Sequence, residues 1–62
     1  MPVAAADADL IANLVTIGGV FITPQDIRQW AARGKVARLG VRDGRQQYDF
    51  RQVRDVAREQ AA

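Results

Sequence analysis

Amide and guanidinium side chains share one side of a short segment of the chain, TPQDIRQWAARGKV. With successive residues 100° apart on a helix, Ile27 and Trp30 fall on one side, and Gln25, Arg28 and Gln29 fall away from them. Glutamine and arginine form paired hydrogen bonds with the edges of adenine and guanine in the DNA major groove. The outward side of this helix therefore has the chemistry to contact bases. An ordinary solvated helix face is the competing interpretation of the two glutamines, and Trp30 is interpreted as a core anchor.

The middle of the chain is strongly basic. Residues 1–27 hold three Asp and no basic residue, a net charge of −3. Residues 28–54 hold eight basic and two acidic residues, a net charge of +6, and residues 55–62 add −1, which gives the total of +2. A dense cationic region is typical of a surface that faces a polyanion. A solvated, arginine-rich face explains the same charges without a partner.

Two helices are predicted in the first half of the chain. The first runs from Asp7 to about Val15, with Asp7 or Asp9 as its N-cap, and ends at the Gly18-Gly19 pair. The second begins with Thr23-Pro24-Gln25-Asp26, which has the form of a capping box with Pro at the first helical position. It should run to Arg33 and end at Gly34.

A β-hairpin and a third helix are predicted in the second half. Asp43-Gly44 is a dipeptide that favours two-residue hairpin turns. Strands about this turn would share an apolar face made by Leu39, Val41 and Tyr48. Asp49 is the predicted N-cap of the last helix. The predicted cross-strand pairs are Arg42 with Arg45, Val41 with Gln46, and Leu39 with Tyr48. The apolar stripe of the last helix is Phe50, Val53, Val56 and Ala57.

The fold class that follows is mainly α with a small β-hairpin wing, in the order helix-turn-helix-hairpin-helix. Residues 7–60 should form a single domain after a disordered tail at residues 1–6. The chain has 62 residues and no Cys or His, so neither a disulfide nor the usual structural zinc site can support it. Large apolar side chains must build the core: Leu10, Ile11, Leu14, Val20, Phe21, Ile22, Ile27, Trp30, Leu39, Tyr48, Phe50, Val53 and Val56.

Two classes of protein are disfavoured by composition. The chain has no Cys, His or Ser and only seven acidic residues, so an enzyme is not expected. For the same reason no cofactor, metal or small-molecule ligand is expected. The apolar run LIANLVTIGGVFI is 13 residues long, whereas a membrane-spanning helix needs about 20. We therefore expect no membrane association and a cytoplasmic location.

Arg42 and Arg45 would lie side by side at the tip of the hairpin. Two like charges in that arrangement repel, and a phosphate bound between them would remove the penalty. The alternative is that they only protect a strand edge. We therefore expect this pair to contact phosphate.

With these elements placed, the chain resembles the winged helix-turn-helix of the MerR and phage excisionase type, over about residues 9–57. The resemblance depends on TPQDIRQWAARGKV followed by GVRDGRQQYDFRQV. It implies that Gln25, Arg28 and Gln29 contact bases in the major groove. The implied phosphate contacts are Thr23, Arg33, Lys35, Arg42 and Arg45. The loop TIGGVFI is longer than the tight turn usual in this family, and no long coiled-coil helix follows the last predicted helix.

The function expected from these features is sequence-specific binding of duplex DNA. A small transcriptional regulator or an excisionase-like recombination accessory factor, of phage or mobile-element type, matches the short form of the family. A single module would bind weakly, so cooperative self-association on DNA, or a recombinase or regulatory partner, is expected as well. The alternatives are an interaction adaptor that binds an acidic protein and the DNA-recognition part of a phage packaging subunit.

Overall fold

A computed structural model of the protein describes residues 5–61. It is a small α+β fold of three helices and a three-stranded antiparallel sheet with the strand order β1-β3-β2. The predicted order of helices and hairpin is confirmed, and strand β1 is an addition to it. The elements are β1 (Ala5–Asp7), α1 (Ala8–Ile17), α2 (Pro24–Ala32), β2 (Arg38–Arg42), β3 (Arg45–Asp49) and α3 (Phe50–Ala61).

Strand β1 was not predicted from the sequence. It pairs with β3 so that Ala6 lies opposite Tyr48 and Asp7 opposite Gln47. Ala5 and Ala6 fall within the range predicted to be a disordered tail, so the ordered part of the chain begins earlier than expected. The rest of that predicted tail, residues 1–4, lies outside the described residues.

The starts of α1 and α2 are as predicted. The Asp7 side chain accepts a hydrogen bond from the Leu10 N–H at 2.9 Å and caps α1. At α2 the Thr23 hydroxyl accepts from the Asp26 N–H at 3.2 Å, and the Asp26 carboxylate accepts from the Thr23 N–H at 3.0 Å. This reciprocal pair satisfies two backbone donors at the helix terminus and fixes where α2 begins.

The predicted hairpin register is correct at the tip and wrong farther along. Arg42 pairs with Arg45, but Tyr48 lies opposite Arg38 rather than Leu39, because an irregularity separates Arg38 from Val41. Gly40 lies within this irregularity with φ 110°, a conformation that favours glycine. The predicted apolar face is therefore wrong: Tyr48 is buried, whereas Leu39 and Val41 are 45% and 69% exposed.

The core joins all three helices. Ile11, Ile27 and Val53 are its largest fully buried side chains, and Trp30 is buried beside them as predicted. Of the other residues predicted for the core, Ile22 and Tyr48 are buried, and Val20, Phe50 and Val56 are partly buried. Four residues predicted for the core are exposed instead: Leu10, Leu14, Phe21 and Leu39. Ala57, predicted in the apolar stripe of the last helix, is buried as well, and smaller side chains outside the predicted list of large core residues complete the core: Ala8, Ala12, Val15, Ala31 and Val36.

The loop between α1 and α2 is closed by a side chain. The Thr16 hydroxyl donates to the Ile22 carbonyl oxygen at 3.2 Å and accepts from the Ile22 N–H at 3.3 Å. The last turn of α1 is therefore bonded to the residue that precedes the N-cap of α2. Within residues 5–61, no helix has both the length and the apolar character needed to cross a bilayer.

Replacing the N-cap of α2 tests how much the helix depends on it. Thr23→Ala removes the hydroxyl acceptor and should destabilise the protein by about 1 kcal/mol. For a domain of this size, that loss lowers the Tm by roughly 4–8 °C. Thermal unfolding followed by circular dichroism measures it. Gln29→Ala, at an exposed position of the same helix, is the control and should stay within about 0.5 kcal/mol of the parent. Equal Tm values for the two variants would show that the cap contributes nothing.

Candidate nucleic-acid interface

The outward face of α2 is exposed to solvent. Gln25, Arg28 and Gln29 are all exposed, as predicted from the helical spacing. Ile27 is completely buried and Trp30 is 9% exposed, so these two side chains fix the rotation of the helix about its axis. The three polar side chains therefore extend away from the core on consecutive turns.

The hairpin tip lies on the Arg28 side of α2. Arg28 lines one open cavity together with Gly44 and Arg45 of the hairpin and with Tyr48. This common cavity shows that the hairpin tip and the Arg28 side of α2 are neighbours on the surface. Gln29 lines a different depression, between α2 and the end of α3. Arg28 and Gln29 thus border two separate recesses of the surface.

The turn at the tip has the geometry that the sequence predicts. Asp43 and Gly44 both have positive φ, 53° and 75°, as a two-residue turn of type I′ needs. This turn places Arg42 directly opposite Arg45. Both arginines are exposed.

Arg45 is not isolated from negative charge. Its guanidinium lies 3.1 Å from the Asp9 carboxylate and 3.6 Å from that of Asp7. The side chains of Arg45 and Asp9 are each 60% exposed, so the ion pair is screened by solvent. The two acids supply the opposite charge that the sequence argument assigned to a phosphate. They also give the cavity beside Arg28 a mixed charge.

Sequence reasoning missed this contact because the paired residues are 36 positions apart. The contact arises where β1 leads into α1 beside the start of β3. The unpredicted strand β1 is therefore the element that brings the acids to the hairpin. The sequence signal for this contact was an acidic N-terminus followed by a basic hairpin, but the charges alone do not show which residues form the ion pairs.

The other predicted phosphate ligands lie near α2. Arg33, which caps the end of α2, and Lys35 in the turn that follows are both exposed. The Lys35 N–H donates to the Trp30 carbonyl oxygen at 2.9 Å, so the turn is bonded to the helix. Thr23 is half-buried, and its hydroxyl is the cap acceptor described above. No predicted base or phosphate ligand is buried.

A glutamine that was not predicted as functional holds this turn in place. The Gln52 side-chain oxygen of α3 accepts from the Ala37 N–H at 2.8 Å. It thereby links α3 to the segment between Lys35 and β2. The predicted N-cap at Asp49 puts Gln52 in the first turn of the last helix, but the sequence does not show that its oxygen bonds a residue 15 positions away.

Comparison with known proteins gives no relative for this architecture. No protein-family model matches the chain, and no significant match is found among curated proteins or solved structures. The fold is that of a small α+β domain with a helix-hairpin arrangement, three helices and a three-stranded antiparallel sheet.

The link between Gln52 and Ala37 generates a local prediction. Gln52→Ala removes an acceptor worth about 1 kcal/mol, so hydrogen exchange of the Ala37 amide should accelerate about fivefold. Nuclear magnetic resonance of the exchanging protein measures this rate. Gln60→Ala, an exposed glutamine near the end of the same helix, is the matched control and should leave the rate unchanged. Unaltered exchange in Gln52→Ala would contradict the link.

Proposed function

We propose that this protein binds duplex DNA, with α2 in the major groove and the β2–β3 hairpin along the phosphate backbone. The observation that supports the proposal is the exposed row Gln25, Arg28 and Gln29 beside the hairpin tip that carries Arg42 and Arg45. Amide and guanidinium groups on a helix discriminate between base edges. Lysine and arginine on the turn and the hairpin supply contacts that orient the protein without reading sequence.

The finer proposal is a winged helix-turn-helix domain of the MerR or phage excisionase type. A protein of this kind acts as a small transcriptional regulator or as a recombination accessory factor. A single module of 62 residues offers few contacts, so adjacent sites or a bound partner must raise the affinity. An accessory factor should protect several adjacent sites in a footprint, whereas a regulator with a single operator should protect one.

A second candidate function is docking on an acidic protein. Arg45 already binds two carboxylates in this structure, which shows that the hairpin accommodates such groups. An adaptor would exchange these internal carboxylates for those of a partner. Salt dependence of duplex binding separates the two candidates, because neutralised phosphates release condensed counterions.

Selection of random duplexes by the purified protein tests the proposal and identifies the site. For the selected duplex, log Kobs should fall linearly with log salt, with a slope of about −0.9 for each phosphate contacted. Arg28→Ala should weaken binding of that duplex by roughly 1–3 kcal/mol and relax selectivity at one base pair. Fluorescence anisotropy of labelled duplexes gives both quantities.

The control for Arg28→Ala is Arg51→Ala, which removes the same charge from an exposed position of α3. It should weaken the selected and random duplexes equally and only slightly. If Arg28→Ala weakened binding of both duplexes equally, Arg28 would contact a phosphate rather than a base. A slope near zero, or failure to enrich any duplex, would reject DNA binding and favour the acidic-partner candidate.

The ion pair between Asp9 and Arg45 predicts a gain of affinity. Asp9→Asn removes a negative charge beside the proposed interface and one competitor for Arg45. Binding of the selected duplex at low salt should tighten by up to about fivefold, since an exposed ion pair contributes at most about 1 kcal/mol. High salt should reduce the difference.

Asp55→Asn is the matched control for Asp9→Asn. Asp55 also pairs with an arginine, at 3.4 Å from Arg54, and its side chain is similarly exposed. It lies on α3, outside the proposed interface, so its replacement should change affinity less. Equal gains for the two variants would mean that net charge alone, and not the release of Arg45, controls binding.

A further inference from the structure

Helix α1 presents an apolar stripe to solvent. Leu10, Leu14 and Ile17 follow one another at intervals of four and three residues, so their side chains lie on one face. They are 50%, 45% and 78% exposed. The opposite face of α1 carries the buried residues Ile11 and Val15. The stripe is therefore outside the core cluster, and the described residues leave about half or more of each of its side chains exposed.

The two ends of this stripe differ in charge. Asp7 and Asp9 begin α1 next to Leu10, and Arg45 compensates one of these two negative charges. At the other end, Arg54 and Arg58 of α3 line a small cavity together with Leu14 and Gly18. Asp55 compensates Arg54, and Glu59 follows Arg58 on α3 but does not line this cavity, so Arg58 makes the lining beside Leu14 positive. One end of the stripe is thus net negative and the other net positive.

We infer that a second copy of the chain covers the stripe, with the two α1 helices antiparallel about a twofold axis at Leu14. In this arrangement Leu14 meets the partner's Leu14, and Leu10 meets the partner's Ile17. The acidic start of each α1 then lies beside the partner's Arg58. The same alignment sets the positive N-terminal end of each helix dipole beside the negative C-terminal end of the other. A parallel pair would instead place like charges together at both ends.

The pairing is weak because the stripe is small. Three apolar residues from each copy make only the centre of an interface, whereas stable complexes bury about 20–30 residues a side. Association should therefore appear in the range from about 10 μM to 1 mM. The inference does not depend on DNA binding, since every measurement below uses the protein alone.

Sedimentation equilibrium of the full chain tests the inference. The average mass should rise with concentration from 6.8 kDa toward twice that value. Leu14→Lys places two ammonium groups together on the twofold axis and should keep the protein monomeric. Leu39→Lys, at a leucine of equal exposure on the hairpin, is the matched control and should associate like the parent. Circular dichroism verifies that both variants are folded.

Single cysteines test the orientation, because the chain contains none of its own. On oxidation by air, two Leu14→Cys thiols lose two protons and two electrons to oxygen and form a disulfide across the twofold axis. Leu10→Cys should not link to itself but should link to Ile17→Cys in a mixture. Leu39→Cys, away from the stripe, should remain reduced over the same period. Efficient self-linking of Leu10→Cys would overturn the antiparallel arrangement. A parent chain that stays monomeric up to about 1 mM would overturn the pairing itself.

Discussion

Each of the three helices contributes one completely buried β-branched side chain to a common core. These are Ile11 of α1, Ile27 of α2 and Val53 of α3. A chain of this size has little apolar surface to bury, so losing any one of the three contacts would remove a large share of its stability. The three side chains also fix the rotation of each helix. The faces that point to solvent are consequences of that packing.

The rotation of α2 has the clearest consequence. Because Ile27 and Trp30 face inward, Arg28 must lie at the surface, beside the cavity that it shares with the hairpin tip. The capping box at Thr23 fixes the residue at which the helix begins, and thereby the position of Gln25 in its first turn. Core packing and capping thus determine where the proposed base contacts lie, although neither involves DNA.

Local signals in the sequence were sufficient for much of this structure. Thr23 and Asp26 are three positions apart in the sequence, and the two residues Asp43 and Gly44 form the hairpin turn by themselves. Neither feature depends on the rest of the fold. Contacts between distant segments could not be predicted in this way. Strand β1 needs an edge of β3 to pair with, and Gln52 needs the Ala37 N–H, which only the folded chain brings near.

Hydrophobicity alone also misplaced several side chains. Leu39 was predicted to be buried because regular strand alternation puts it opposite Tyr48, but the irregularity at Gly40 moves Arg38 to that position. Leu10 and Leu14 are apolar at helical spacing, yet Ile11 and Val15 are the residues of α1 that reach the core. Ala8 and Ala12 fill the remaining space beside them, and their small size gave no signal of burial. The face of α1 left outside is the one that carries the proposed self-association.

The two hydrogen bonds between Thr16 and Ile22 make the relative position of α1 and α2 less dependent on the length of the loop between them. Since the hydroxyl holds both main-chain groups of Ile22, the approach of the two helices is fixed by this side chain as well as by Val20, which packs against the core from within the loop. An insertion beside the exposed Phe21 should therefore leave the packing of α1 on α2 intact. A peptide tag or an extra recognition loop inserted there would leave the packing of the two helices unchanged.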